Sequence, residues 1–270
     1  MVNRLGIELL TVFGLPPVEF VNLAADAGCN HISMALSQFP ADPYGYPSWS
    51  LRDDLALRKN LIAAMVDRNV AISLGEGFAV RQGVEVRDYA KSIDIMRELG
   101  VKRINTVAMD PDLSRCLDQI AQFADMAEAA GMDESTIEFA PGLTIADLPS
   151  ALAAIRHVNK PSFRLLIDTM HLIRSGSNAK DLAAIAPELI AYVQLSDAPL
   201  VATNPDYMQE ATFGRMAPGE GELPLREILA VVPPSVVVSL EVPQRAQAEA
   251  GVSSQQWVAK CVSAARDLLP

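Results

Sequence analysis

The run Phe163-Arg164-Leu165-Leu166-Ile167-Asp168-Thr169-Met170-His171 places an acid at the end of an apolar stretch of strand character. A carboxylate in that position must be paired, hydrogen-bonded or bound to a metal, because a bare charge in an apolar setting is strongly disfavoured. Three further apolar runs also end in an oxygen donor: Thr136-Ile137-Glu138-Phe139, Tyr192-Val193-Gln194-Leu195 and Val238-Ser239-Leu240-Glu241. Any one of these residues could instead meet a loop amide or a helix N-terminus, but four strand ends in succession point to a metal centre. A donor set of oxygens, without Cys or His, suits one hard divalent cation, Mn²⁺ or Mg²⁺, better than Zn²⁺. Such an ion polarises a carbonyl or hydroxyl, and a flanking carboxylate can take the adjacent C–H proton.

To bring four strand ends to one place, the chain needs parallel strands with their C-terminal ends on one side. Strand-type runs fall at 5–12, 31–36, 70–74, 103–109, 136–140, 163–168, 191–195 and 236–242. Helical repeats lie between them. One opens at Pro16 and stops at Ala27-Gly28; a second starts near Ser50, Asp53 and Asp54 and carries Leu57, Leu61 and Met65. Others span 85–99 and 112–130, follow Thr144, run from Asn178 to Ala186, carry Leu225, Ile228 and Leu229, and close the chain over 253–268. Eight alternations in this length predict a single (β/α)₈ TIM barrel, residues 1–270, with an open doubly wound sheet as the alternative. In a barrel, Glu138, Asp168, Gln194 and Glu241 share the C-terminal mouth.

Other candidates are less sharply defined. His171 is either a capped strand-end histidine or a substrate contact. Arg215 stands in an unusually long loop, 196–223, which is a candidate mobile cover that brings Arg215 to a ligand. Glu76, just past the third strand, is a further substrate-side candidate; Glu8 lies in the first strand, where parity does not settle its face. Trp49 and Phe213 fit lid contacts and loop anchors equally well.

At 270 residues, half of them hydrophobic, the chain can fill one large core, and no linker or repeat interrupts it. A net charge of -11 with no Lys/Arg run opposes a nucleic-acid partner. The chain contains neither a signal-like start nor a bilayer-spanning apolar stretch, so no membrane partner and a cytoplasmic location are expected. Cys29, Cys116 and Cys261 are widely spaced, which fits buried small hydrophobes rather than a disulfide framework or a thiolate zinc site.

Taken together, the strand ends Ile137-Glu138, Ile167-Asp168-Thr169-Met170-His171, Val193-Gln194-Leu195-Ser196-Asp197 and Leu240-Glu241-Val242, with Gly214-Arg215 and Pro218-Gly219-Glu220-Gly221, resemble the xylose-isomerase-like sugar phosphate isomerase/epimerase family. The resemblance implies Glu138, Asp168, Gln194 and Glu241 as ligands of one divalent metal, Glu138 and Glu241 also as the acid/base pair, and His171 and Arg215 as contacts to substrate oxygens. The strand-seven ligand is often His in that family; Gln occurs in hydroxypyruvate-isomerase-like and some dehydroshikimate-dehydratase-like branches. The expected activity is metal-dependent isomerisation or epimerisation of a small keto-sugar or hydroxy-ketone through an enediolate. The alternative is a lyase resembling 3-dehydroshikimate dehydratase. An abasic-site nuclease, which needs a His-rich multi-metal cluster, fits poorly with 3 His, and a non-catalytic sugar-binding barrel is the remaining possibility. The expected partner is a carbohydrate-like small molecule, with association into a homo-oligomer left open.

Overall fold

The structure, a computed structural model, describes residues 3–40 and 42–269; Met1, Val2, Ala41 and Pro270 of the expected 1–270 domain lie outside the described residues. The elements run β1 (Leu5–Ile7), α1 (Pro17–Asp26), β2 (His31–Met34), α2 (Leu55–Arg68), β3 (Ala71–Val80), α3 (Ala90–Glu98), β4 (Arg103–Ala108), α4 (Leu113–Ala129) and β5 (Glu134–Glu138). They continue with α5 (Leu148–Val158), β6 (Phe163–Asp168), α6 (Thr169–Arg174), α7 (Ala179–Ala183), β7 (Ile190–Leu195), α8 (Tyr207–Phe213), α9 (Leu225–Val231), β8 (Val237–Leu240), α10 (Arg245–Glu249) and α11 (Ser254–Arg266). All eight strands are parallel and close into one barrel in sequence order, β8 pairing with β1.

Local chemistry accounts for the boundaries. Asp54 and Asp112 cap α2 and α4 by accepting from Leu57 and Arg115 backbone N–H groups, and capping boxes open α5 (Asp147/Ser150) and α11 (Ser253/Gln256). Thus Asp147, not Thr144, starts α5. The outer faces of the strands pack on the helices in one continuous core that includes Phe20, Ile32, Ile104, Phe123, Ile137, Phe163 and Trp257. Cys29, Cys116 and Cys261 are free and buried in it.

Inside the barrel, Leu74, Leu166 and Tyr192 form a separate small cluster. Successive side chains alternate faces along a strand, so residues two positions on point the same way, one layer nearer the mouth. Those residues are Glu76, Asp168 and Gln194. An apolar plug therefore underlies a polar layer, and the register pairs Asp168 with Gln194 across β6 and β7.

β2, β5 and β8 end two residues earlier than the sequence predicts, and two other strands differ more. β1 ends at Ile7, and Leu9–Val12 winds into a 3₁₀ turn because Ser33 Oγ accepts from Leu9 N–H (2.9 Å) and Thr11 Oγ1 donates to Leu240 O (2.7 Å). β3 runs on to Val80, with a register irregularity between Gly75 and Phe78, so Glu76 lies within the strand rather than past its end.

The segment 196–223 contains α8 and is tied at its root by Asp197. That carboxylate accepts from Gly219 N–H (2.8 Å) and Leu223 N–H (3.0 Å), and the Asp197 backbone bridges Met216. Gly219 has φ 86°, a left-handed conformation suited to glycine. Gly221 is required by close approach: a Cβ there would sit 2.6 Å from both the N and the O of Ala198. Gly221→Ala should therefore destabilise the fold by about 1–3 kcal/mol, the usual range for overpacking. Urea unfolding measures this, and a wild-type midpoint would show that the loop root yields freely.

Candidate active site at the barrel mouth

Asp168 ends β6 and caps α6. Its Oδ1 accepts from His171 N–H at 2.7 Å, which turns the chain from strand to helix and keeps His171 at the mouth. The His171 ring hydrogen-bonds through Nδ1 to the Tyr207 hydroxyl, and its Nε2 lies 3.5 Å from Glu138 Oε1. Glu138 Oε2 accepts from Asn105 Nδ2 (2.8 Å), while Asn105 Oδ1 accepts from Thr136 Oγ1 (2.9 Å), fixing that amide.

Arg215 is 2% exposed and already lies within this group. Its Nε donates to Ala211 O (2.6 Å), at the end of α8, and Nη1 to Ser196 Oγ (3.2 Å) and Asp168 Oδ2; Nη2 lies 2.9 Å from Glu241 Oε2. The segment expected from sequence to carry Arg215 to a ligand thus holds it at the mouth. The guanidinium fork bridges two strand-end carboxylates.

Gln194 connects the other half. Its Nε2 lies 3.2 Å from Glu241 Oε1, 3.4 Å from Glu76 Oε1 and 3.5 Å from Glu8 Oε2, and its buried Oε1 has no hydrogen-bond partner. Glu8, 1% exposed, points into the barrel and accepts from the Tyr192 hydroxyl at 2.8 Å.

Burial pushes the Glu8, Glu76 and Glu241 carboxyls above the usual range. At Glu76 the charges of Glu8 and Glu138 add to the effect. At Glu241 the Arg215 guanidinium opposes it, but burial together with Glu138, Asp168 and Glu8 prevails despite the direct ion pair. Burial also acts to raise Asp168, yet Arg215 and His171 hold it below the ordinary carboxylate value. Carboxyl groups at the mouth thus outnumber the one guanidinium, and three of them are held less acidic than usual. A cavity of about 510 Å³ reaches this layer, lined by Glu76 and Glu241 together with Leu9, Leu10, Ala35 and Phe39.

All seven sequence candidates, Glu76, Glu138, Asp168, His171, Gln194, Arg215 and Glu241, belong to this one network. Glu8, Asn105, Tyr192 and Tyr207 were not singled out as site residues. Tyr192 could have been found two positions before Gln194 on the same strand face, whereas nothing in the sequence marks Asn105 or Tyr207. Trp49 and Phe213 are loop anchors: Trp49 Nε1 donates to Gly14 O (2.9 Å), and Phe213 stacks on Phe13 beneath the Arg245 guanidinium.

Among the described residues, no three His, Cys, Asp or Glu side chains are drawn together round a common point for an ion, Arg215 standing between Asp168 and Glu241. The donor chemistry nevertheless fits a hard divalent cation. Glu138, Asp168 and Glu241 supply carboxyl oxygens, and Gln194 Oε1 is a buried acceptor without a partner.

A family model described as "Xylose isomerase-like TIM barrel" matches residues 21–261, and the chain belongs to that family. Among curated proteins, it is similar to a 3-dehydroshikimate dehydratase of Pseudomonas aeruginosa, with 27% identity over 157 residues, 56% of this chain. That match spans 24% of the relative's length. Among solved structures, it resembles the IolI protein with a bound zinc atom (TM-score 0.80, 16% identity, 98% of both chains). It also resembles an L-ribulose 3-epimerase (TM-score 0.71, 15% identity, 99% of this chain and 95% of that one). Among the described residues, no helix is long and apolar enough to cross a membrane.

Arg215→Met should leave Asp168 and Glu241 buried and uncompensated, at a cost of about 3–5 kcal/mol. Urea unfolding in a chelator checks this; an unchanged midpoint would show that the bridge contributes nothing to the fold.

Proposed function

We propose that this barrel is a divalent-metal-dependent enzyme that moves protons beside the carbonyl of a small, hydroxylated, carbohydrate-like molecule. The supporting observation is one buried network at the ends of β5 to β8 that joins three carboxylates, the unpaired Gln194 Oε1, His171 and Arg215. Glu138, Asp168, Gln194 and Glu241 would hold the ion, Mn²⁺ or Mg²⁺. When bound, it supplies Lewis-acid polarisation of a substrate oxygen. Glu138 and Glu241 reach the mouth from different strands, so one takes the proton next to the carbonyl while the other gives a proton to the substrate from another side. His171, held by Tyr207 and Asp168, and Arg215 orient substrate oxygens. Glu76, on the cavity wall, is a further contact.

The same first step leads to two outcomes. Loss of a β-hydroxyl, protonated by the acid, expels water; return of a proton to the neighbouring carbon isomerises, and return to the same carbon from the opposite face epimerises. The dehydration outcome, on a cyclic hydroxy-ketone acid of the 3-dehydroshikimate type, is favoured by similarity in sequence to the curated dehydratase. Isomerisation or epimerisation of a keto-sugar is the second reading, supported by the resemblance in fold to the epimerase.

With Mn²⁺ present, 3-dehydroshikimate should give an aromatic product visible by ultraviolet absorbance; small ketoses in deuterated water test the second outcome by deuterium uptake. Glu138→Gln and Glu241→Gln keep an oxygen donor but lose the proton acceptor, so turnover should fall on the order of 10²–10⁴-fold. Absence of both product and exchange with every compound would refute proton-transfer catalysis, and near-wild-type turnover in both variants would move the acid/base role elsewhere.

A further inference from the structure

We infer that Glu8 is a positioning residue that fixes the amide of Gln194 so that its oxygen, not its nitrogen, is offered to the cation. This rests on the metal-site reading above. A glutamine amide can lie in either of two orientations related by a flip, and its surroundings choose between them. Here the chosen end is surrounded by carboxylates: Glu8 Oε2, Glu76 Oε1 and Glu241 Oε1 all lie within 3.5 Å of Nε2. Turning the amide over would set its oxygen against three acceptor oxygens. The observed orientation leaves Oε1 buried and unpartnered, so it is available to an ion.

Of the three carboxylates, Glu241 is itself a candidate ligand and Glu76 faces the cavity. Glu8 is the one held only by protein. It is 1% exposed, its other oxygen accepts from Tyr192 at 2.8 Å, and the Tyr192 hydroxyl in turn lies 3.1 Å from Ser73 Oγ. The chain Ser73–Tyr192–Glu8–Gln194 therefore runs from the apolar plug to the proposed ion. It gives a physical reason for a neutral residue on β7: a fourth acid there would lie among three others, whereas an amide satisfies them with its nitrogen and still supplies an oxygen.

The test is Mn²⁺ affinity of the full chain, stripped of metal and titrated against a chromophoric chelator, with folding followed by circular dichroism. Gln194→Ala establishes the premise, because its retention of wild-type Mn²⁺ affinity would overturn the metal site and this inference with it. Given loss of affinity in Gln194→Ala, Glu8→Gln should bind Mn²⁺ about 10–100-fold more weakly, the usual effect of removing a partner that orients a ligand. Tyr192→Phe, which frees Glu8 without altering charge, should weaken it less. The double variant Glu8→Gln/Gln194→Glu, which moves the acid onto the ligand itself, should recover affinity towards wild type, as a merely structural role for Glu8 would not allow. Wild-type affinity in Glu8→Gln overturns the inference and leaves the metal site standing. Should Glu8→Gln not fold, Tyr192→Phe decides in its place: weakened binding supports the inference and unchanged binding overturns it.

Discussion

Five carboxyl groups, those of Glu8, Glu76, Glu138, Asp168 and Glu241, share the barrel mouth with one guanidinium, that of Arg215. Closing eight strands into a barrel forces this crowding, since side chains at adjacent strand ends cannot move apart. Like charges in a poorly hydrated site repel far more strongly than in water. Burial first, and repulsion from Glu138, Asp168 and Glu8 after it, hold the Glu241 carboxyl high although Arg215 touches it. Asp168, with Arg215, His171 and a backbone N–H, is the one held low. The mouth is therefore ion-paired around Asp168 and crowded with weakly acidic carboxyls around Gln194.

The surrounding fold is arranged to hold that crowding. Leu74, Leu166 and Tyr192 close the barrel beneath the carboxyl layer, and the larger core outside the strands supplies the apolar burial that stabilises the fold. Asp197 secures the root of the 196–223 segment, and α8 presents the Ala211 carbonyl to Arg215 and the Tyr207 hydroxyl to His171. The same helix thus orients the bridging cation and a flanking imidazole, which links the long loop to the chemistry.

The barrel and the four strand ends were legible from sequence because both follow from short-range pattern: apolar runs of strand length, helical repeats between them, and an oxygen donor where each run stops. Glu76 was recognised but displaced, since the continuation of β3 through Gly75 and Gly77 depends on pairing with β4, which no local pattern reveals. The face of Glu8 is not readable from the sequence for a related reason. The chain bends at Ile7 through contacts with Ser33 and Leu240, distant in sequence, and only that bend settles its face. Asn105 and Tyr207 reach the site through tertiary placement alone. The role of Arg215 as a bridge likewise depends on Asp168 and Glu241 arriving together, although its position in a long loop drew notice.

We propose that a divalent cation at the ends of β5 to β8 complements the carboxyls crowded there. Burial and mutual repulsion raise the Glu8, Glu76 and Glu241 carboxyls, and a bound ion would oppose both and release protons. Calorimetric titration of Mn²⁺ into metal-stripped protein near neutral pH, repeated in buffers of different ionisation enthalpy, measures both stoichiometry and proton release. The account predicts one ion per chain, with protons released on binding. No saturable binding, or binding with an enthalpy independent of buffer, would contradict it.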